Sequence, residues 1–191
     1  MIERSEERDS AIRAALPHVP RLGWSRAALS AGLRALGRDP VEQEWLFPRG
    51  PAGAVEAWID LADREMEAAA RAEDLLSLRI PARIRRVVLI RLEQQEPQKE
   101  AVRLGLSHLA LPWNAGAAVR SVARTADSMW VAAGDTSADV SWYTRRATLA
   151  AVYGATLAYW LQDPVPGFPA TRGFLDRRLA DLARFQRRQR R

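Results

Sequence analysis

The chain is 191 residues long, enough for one domain with a sizeable core, and its 29 basic and 23 acidic residues give a formal net charge of +6. It contains no cysteine, so disulfides, thiolate nucleophiles and zinc-thiolate sites are excluded. No apolar run has the length of a membrane span, and the charged start Met1-Ile-Glu-Arg-Ser-Glu-Glu-Arg-Asp9 resembles neither a signal peptide nor a mitochondrial presequence. We expect a soluble or peripheral protein of a reducing compartment.

Three short helices are predicted near the start, from Glu6 to Leu16, from Ser25 to Gly37 and from Asp39 to Phe47. The third has the strongest start signal, because Pro40 suits the first helical position and Glu42 completes a capping box with Asp39. Three short helices before a long one resemble the helix-turn-helix head of a TetR-type regulator, whose recognition helix is the third.

The charge of this third helix argues against DNA binding. It carries the carboxylates Asp39, Glu42 and Glu44, with no Arg or Lys between Asp39 and Phe47. A helix that approaches phosphates needs the opposite sign. We therefore expect no nucleic-acid partner, and a TetR-type, ligand-responsive transcriptional repressor is the alternative function.

Four further helices are predicted between residues 53 and 133. The first is amphipathic, with Glu and Arg side chains on the face opposite its apolar residues. In the second, four arginines alternate with core aliphatics and are expected to face solvent: Arg83, Arg85, Arg86 and Arg91. In the last, from Asn114 to Ala133, one side is expected to carry Val119, Val122, Ala126, Met129 and Trp130. No stretch alternates apolar and polar residues in the way that indicates a strand. The predicted fold is therefore all-α, with about nine helices in total.

A long helix is predicted between Gly134 and Asp163, with two different faces. Large residues share one face: Trp142, Leu149, Tyr153, Leu157 and Trp160. Small residues share the other: Ala147, Ala151, Gly154 and Ala158. The simplest interpretation is a buried central helix. A more specific one adds a pocket for a large apolar ligand beside the aromatic face.

The last helix follows the stiff loop from Asp163 to Pro169 and is capped by Thr171. Its apolar stripe consists of Phe174, Leu175, Leu179, Leu182 and Phe185. The helix could dock on the core, pair in a dimer or lie on an anionic membrane, where the terminal arginines Arg187, Arg188, Arg190 and Arg191 could add about 1 kcal/mol of attraction each.

Catalytic and cofactor motifs are missing from the sequence. There is no glycine-rich phosphate loop, HExxH, GxSxG or paired-histidine metal site. Three aspartates, Asp135, Asp139 and Asp163, lie at helix boundaries, where capping accounts for them. The sequence predicts a binding protein without cofactor or metal, and no enzyme.

The segment Gly134-Asp-Thr-Ser-Ala-Asp-Val-Ser-Trp-Tyr-Thr-Arg-Arg146 resembles the Coq-nine family of coenzyme Q (ubiquinone) biosynthesis proteins. The resemblance continues through Leu149-Ala-Ala-Val-Tyr153, Trp160-Leu-Gln-Asp163 and Phe174-Leu-Asp-Arg-Arg178. Glu6-Glu-Arg-Asp9, Ala14-Ala-Leu-Pro17 and Gly23-Trp24 also resemble the start of the family's domain, so nearly the whole chain is covered.

The resemblance implies a TetR-like fold that does not regulate transcription. It implies a non-enzymatic accessory protein that binds an isoprenoid quinone intermediate or a phospholipid and presents it to the di-iron demethoxyubiquinone hydroxylase. By matching position, Trp142 and Tyr143 form the patch that engages the hydroxylase, supported by Asp139 and Arg146. The predicted domains are a head of residues 1–50 and a lipid-binding bundle of residues 51–191, in one compact unit.

The candidate lipid-lining residues come from the helix faces, not from a family motif: Met129, Trp130, Leu149, Tyr153, Leu157 and Trp160. TetR-like folds usually pair through their last helices, so a homodimer is expected. The resemblance implies a presequence and a further amphipathic helix in mitochondrial family members, and we expect this chain to lack both. We therefore expect a bacterial member, located in the cytoplasm and peripheral at the surface of the inner membrane.

Overall fold

The computed structural model describes residues 4–135 and 141–189, without the side chains of Ser141 and residues 185–189. Every regular element in these ranges is helical, which confirms the all-α prediction. The α-helices are α1 (Glu6–Ala15), α2 (Val19–Leu22), α3 (Arg26–Ala35), α4 (Gln43–Leu46), α5 (Gly50–Ala72), α6 (Ile80–Gln95), α7 (Lys99–Leu109), α8 (Ala115–Ala132), α9 (Ser141–Trp160) and α10 (Pro169–Gln189).

The predicted helix starts near the amino terminus are confirmed. The Ser25 hydroxyl accepts the Ala28 N–H at 3.2 Å, and Asp39 and Glu42 form the capping box that precedes α4. The single turn α2 was not predicted, because Pro17 and Pro20 read as stop signals. Both prolines instead occupy first-turn positions, where no helical N–H bond is lost.

The described chain forms two compact units: unit 1 contains Met1–Ala62 and Gln95–Arg124, and unit 2 contains Asp63–Gln94 and Thr125–Arg191. The division into a head of residues 1–50 and a bundle of residues 51–191 stays a prediction. In unit 1, α1 and α3 approach closely at Gly32, where an added Cβ would lie 2.6 Å from the Ala15 nitrogen. The indole of Trp24 donates to the Ala101 carbonyl at 2.9 Å.

Two sequence interpretations of unit 1 are wrong. The back of α5 is not a solvated charged face, because Glu56 is only 1% exposed and accepts hydrogen bonds from Arg120 at 2.9 and 3.1 Å. On α8, Val119 is 69% exposed and Val122 is also exposed, whereas Met129, on the same predicted apolar side, is buried. The apolar period placed the buried face of α8 incorrectly, because polar Ser121 and small Ala117 supply buried positions that hydrophobicity does not reveal.

In unit 2, the connection between α9 and α10 is held by buried polar contacts. The Asp163 carboxylate accepts the Thr171 N–H at 2.9 Å and the Thr171 hydroxyl at 2.8 Å, so it satisfies donors at the start of α10. Tyr159 stacks on Phe174 with ring centroids 4.6 Å apart. None of the helices described has the length and apolar character needed to cross a membrane.

Candidate functional site

The first turns of α9 carry a group that we call the aromatic corner, made of Trp142, Tyr143 and Arg146. Trp142 and Tyr143 meet edge to face, with ring centroids 4.7 Å apart and planes at 76°. The guanidinium carbon of Arg146 lies 3.8 Å from the Trp142 ring centroid. The Tyr143 side chain is 76% exposed, whereas Arg146 is buried and Trp142 is half-buried. The corner therefore presents one ring to solvent on a fixed support.

Arg146 is held in place by carboxylates at the end of α8 and just beyond it. Its Nε donates to Asp127 Oδ1 at 2.6 Å, and its Nη1 lies 3.6 Å from Asp135 Oδ2. The cation contacts the Trp142 ring face while its charge is balanced, an arrangement that favours one orientation of the indole. Asp139, the remaining predicted contributor to this patch, lies outside the described residues.

The six candidate lipid-lining residues lie on α8 and α9 of unit 2 but differ in burial. Met129, Leu149 and Trp160 are fully buried, and Trp160 meets Phe168 edge to face at 6.5 Å. The other three, Trp130, Tyr153 and Leu157, are half-buried. Whether the six residues line a lipid site stays a prediction.

Tyr153 has a desolvated phenol, yet part of the residue is accessible to solvent. Burial raises the pKa of its phenol, the charge of Arg91 lowers it, and the charge of Asp63 raises it further. The residue nevertheless keeps accessible surface. The two observations agree if the hydroxyl end lies in a desolvated interior while another part of the side chain lines an accessible space.

A buried polar cluster next to Tyr153 was missed by the sequence interpretation. Arg91 was expected to face solvent but is only 4% exposed, and its Nε lies 3.4 Å from Asp63 Oδ1. The Asp63 carboxylate accepts the Thr125 hydroxyl at 2.9 and 3.1 Å. A signal was available, because Arg91 lies seven residues after Ile84 and four after Val87, on the apolar side of α6. The cluster brings together side chains from α5, α6 and α8.

Among the residues that the structure describes, no group of three or more His, Cys, Asp or Glu side chains could hold a metal ion. His108, one of two histidines, is half-buried, and burial lowers its pKa.

Comparison with known proteins identifies relatives of this chain. The COQ9 family model matches residues 115–186. The mitochondrial ubiquinone biosynthesis protein COQ9 of Xenopus tropicalis is 32% identical over 177 residues, which are 89% of this chain and 56% of that protein. The human protein of the same name is 30% identical over 89% of this chain and 55% of its own length.

The chain is similar to the COQ9 proteins over 89% of its length. The family resemblance predicted from the motif at residues 134–146 is confirmed over most of the chain. The chain spans a little over half the length of these curated relatives.

The crystal structure of a TetR transcriptional regulator from Nitrosomonas europaea is similar in fold, with a TM-score of 0.74 over 94% of this chain and 99% of that one. At 24% identity the similarity concerns the fold alone. It confirms the predicted TetR-like architecture.

The expected location in the bacterial cytoplasm, at the inner membrane, is wrong. The relatives from Xenopus tropicalis, Homo sapiens and Schizosaccharomyces pombe are all named mitochondrial proteins. The expectation rested on a sequence start unlike a presequence and on the expected lack of a further amphipathic helix. Targeting segments are separate from the folded domain, so the composition of a domain does not report its compartment.

Proposed function

We propose that this chain is a non-enzymatic accessory protein of ubiquinone biosynthesis. It binds an isoprenoid quinone intermediate or a phospholipid in unit 2 and presents the quinone to the di-iron demethoxyubiquinone hydroxylase. The relatives named ubiquinone biosynthesis proteins support the pathway. The exposed ring of Tyr143, which meets Trp142 edge to face while Trp142 lies against buried Arg146, is the observation that carries the docking role.

The aromatic corner has the properties of an interface anchor. Tyr and Trp are enriched among residues whose truncation strongly weakens binding, because they bury a large area at a small cost in conformational entropy. Tyr143 offers such an area, and its edge-to-face contact with Trp142 holds the ring in position. A residue that served only the core would not be 76% exposed.

Lipid binding is supported by apolar and aromatic side chains that are only partly buried. Tyr153 and Leu157 lie one helical turn apart on α9 and are both half-buried. A polyprenyl chain needs a continuous apolar lining, since about 25 cal/mol is gained per Å² of apolar surface removed from water. Binding would place the chain at a membrane surface, where such amphiphiles reside.

A homodimer through α9 is part of this proposal. Four small residues at helical spacing, Ala147, Ala151, Gly154 and Ala158, are all exposed. An added Cβ at Gly154 would meet no atom within 4 Å in the described structure. A second helix could therefore approach closely along this face.

The docking role is tested with Tyr143→Ala and a matched control. Trp113 is 77% exposed, about as much as Tyr143, but lies in unit 1. Trp113→Ala therefore controls for the loss of any exposed aromatic side chain. We expect Tyr143→Ala to weaken binding to the purified hydroxylase by about tenfold or more, measured by biolayer interferometry, while Trp113→Ala leaves it unchanged. Equal affinities for both variants would refute the docking role.

The repressor alternative predicts operator binding through the head. Two basic residues near its third helix already pair with carboxylates: Arg38 donates to Glu42 at 2.7 Å, and Arg26 lies 3.9 Å from Glu44. Pairing of this kind reduces the positive charge that phosphates would need. A gel-shift assay with genomic fragments separates the two functions, and a salt-dependent shift would favour the repressor.

A further inference from the structure

The buried guanidinium of Arg91 has hydrogen-bonding capacity that the described structure does not use. Asp63 balances its charge at 3.4 Å, but that contact does not have hydrogen-bond geometry, and neither Nε nor Nη1 bonds to any residue in the described part of the chain. Asp63 is in turn oriented by the Thr125 hydroxyl. Two N–H donor groups of a 4% exposed cation are thus left for an additional acceptor.

Such donors are rarely left unsatisfied in a folded protein. Burying a polar group without a partner costs more than the net gain of an ordinary hydrogen bond, and more again when the group is charged. The large majority of buried side-chain polar atoms therefore have a partner. An acceptor oxygen other than those in the described part of the chain is the expected partner of Arg91.

The charges around Arg91 restrict which acceptor fits. Asp63 already neutralises the guanidinium, so a second anion, such as a phosphate, would leave uncompensated negative charge in a desolvated place. A neutral carbonyl oxygen accepts the same N–H groups without that penalty. The phenol of Tyr153 lies near Arg91 and Asp63 and stays protonated, because burial raises its pKa.

We propose that Arg91 donates hydrogen bonds to a carbonyl oxygen on the ring of a bound quinone, in unit 2, with Asp63 and Thr125 as positioning residues. The inference rests on the proposed binding of an isoprenoid quinone and adds which group of the ligand is recognised. Tyr153, on the aromatic face of α9, lies beside the ring, and the isoprenoid tail continues along the apolar side chains of that helix.

The test compares two probes on the full chain by isothermal titration calorimetry in a fixed detergent. One probe is decylubiquinone, and the other is its hydroquinone dimethyl ether, which keeps the ring and tail but has no carbonyl group. The variant Arg91→Met/Asp63→Asn removes both charges together and leaves Thr125 an amide oxygen to bond. We expect the variant to bind decylubiquinone about tenfold more weakly and the ether as well as the wild type does.

Infrared spectroscopy gives a second readout that needs no variant. With decylubiquinone labelled with ¹³C at its carbonyl carbons, the C=O stretch should move to lower frequency in the wild-type complex than in detergent. An unshifted band would overturn the inference and leave a buried water as the partner of Arg91. Equal losses for both probes in the variant would also overturn it, because Arg91 would then act only through packing. If the wild type bound neither probe, quinone binding itself would fail.

Discussion

Gly134 offers a sharp test of the way α8 ends in unit 2, because its backbone conformation and its surroundings both disfavour a side chain. Its φ is +80°, in the left-handed region, where an L-residue with a Cβ costs about 1–2 kcal/mol. A Cβ would also lie 2.8 Å from Leu76 Cδ2, the end of an exposed side chain that can turn away for about 1 kcal/mol or less. The loss of unfolded-state entropy returns about 0.4–1 kcal/mol. We expect Gly134→Ala to lower the free energy of unfolding by about 1–2 kcal/mol.

Gly154→Ala is the matched control, because it is the same substitution on an exposed helix position where nothing lies within 4 Å. There alanine is the better helix former, and the free energy of unfolding should rise by up to about 1 kcal/mol. Urea unfolding of both variants, followed by circular dichroism in dilute solution, measures the difference at unchanged m-value. If Gly134→Ala were as stable as Gly154→Ala, the left-handed backbone conformation of Gly134 at the end of α8 would be refuted.

Three further changes have defined outcomes. Gly32→Ala should lower the free energy of unfolding by about 3 kcal/mol or more in urea melts, because its Cβ would meet Ala15 backbone atoms that cannot turn aside; a wild-type midpoint would contradict the α1–α3 contact. Wild type should lose stability above pH 10, because Tyr153 keeps its proton in the fold while the unfolded chain loses it; Tyr153→Phe should lack this loss, and identical pH profiles would exclude a buried phenol. Thr171→Val should cost about 1–3 kcal/mol in thermal melts, because Asp163 loses a buried donor, and no change would show that the N–H bond suffices.

Local signals explain why much of the fold could be predicted from the sequence. The capping box of Asp39 and Glu42 and the cap at Ser25 depend on residues within three positions of each other, so the sequence determines them directly. The grouping of Trp142 and Tyr143 was implied by the family resemblance, and the two rings meet edge to face in the first turn of α9.

The errors concern which face of a helix is buried, and this depends on distant partners. Arg91 reads as a solvated arginine until Asp63, 28 positions earlier in the chain, balances its charge. Glu56 reads as a surface carboxylate until Arg120 reaches it. In both cases burial is made possible by an ion pair across large sequence separation, and a hydrophobic period does not encode such pairs. Val119 shows the converse, an apolar residue that remains exposed.

The content of the purified protein tests the central proposal most directly. Native mass spectrometry of the full chain reports subunit number and retained ligand together, and solvent extracts identify the ligand. The proposal predicts a bound isoprenoid quinone or phospholipid, and uptake of added decylubiquinone by protein stripped of lipid. A chain that carries no amphiphile and takes up none would contradict it.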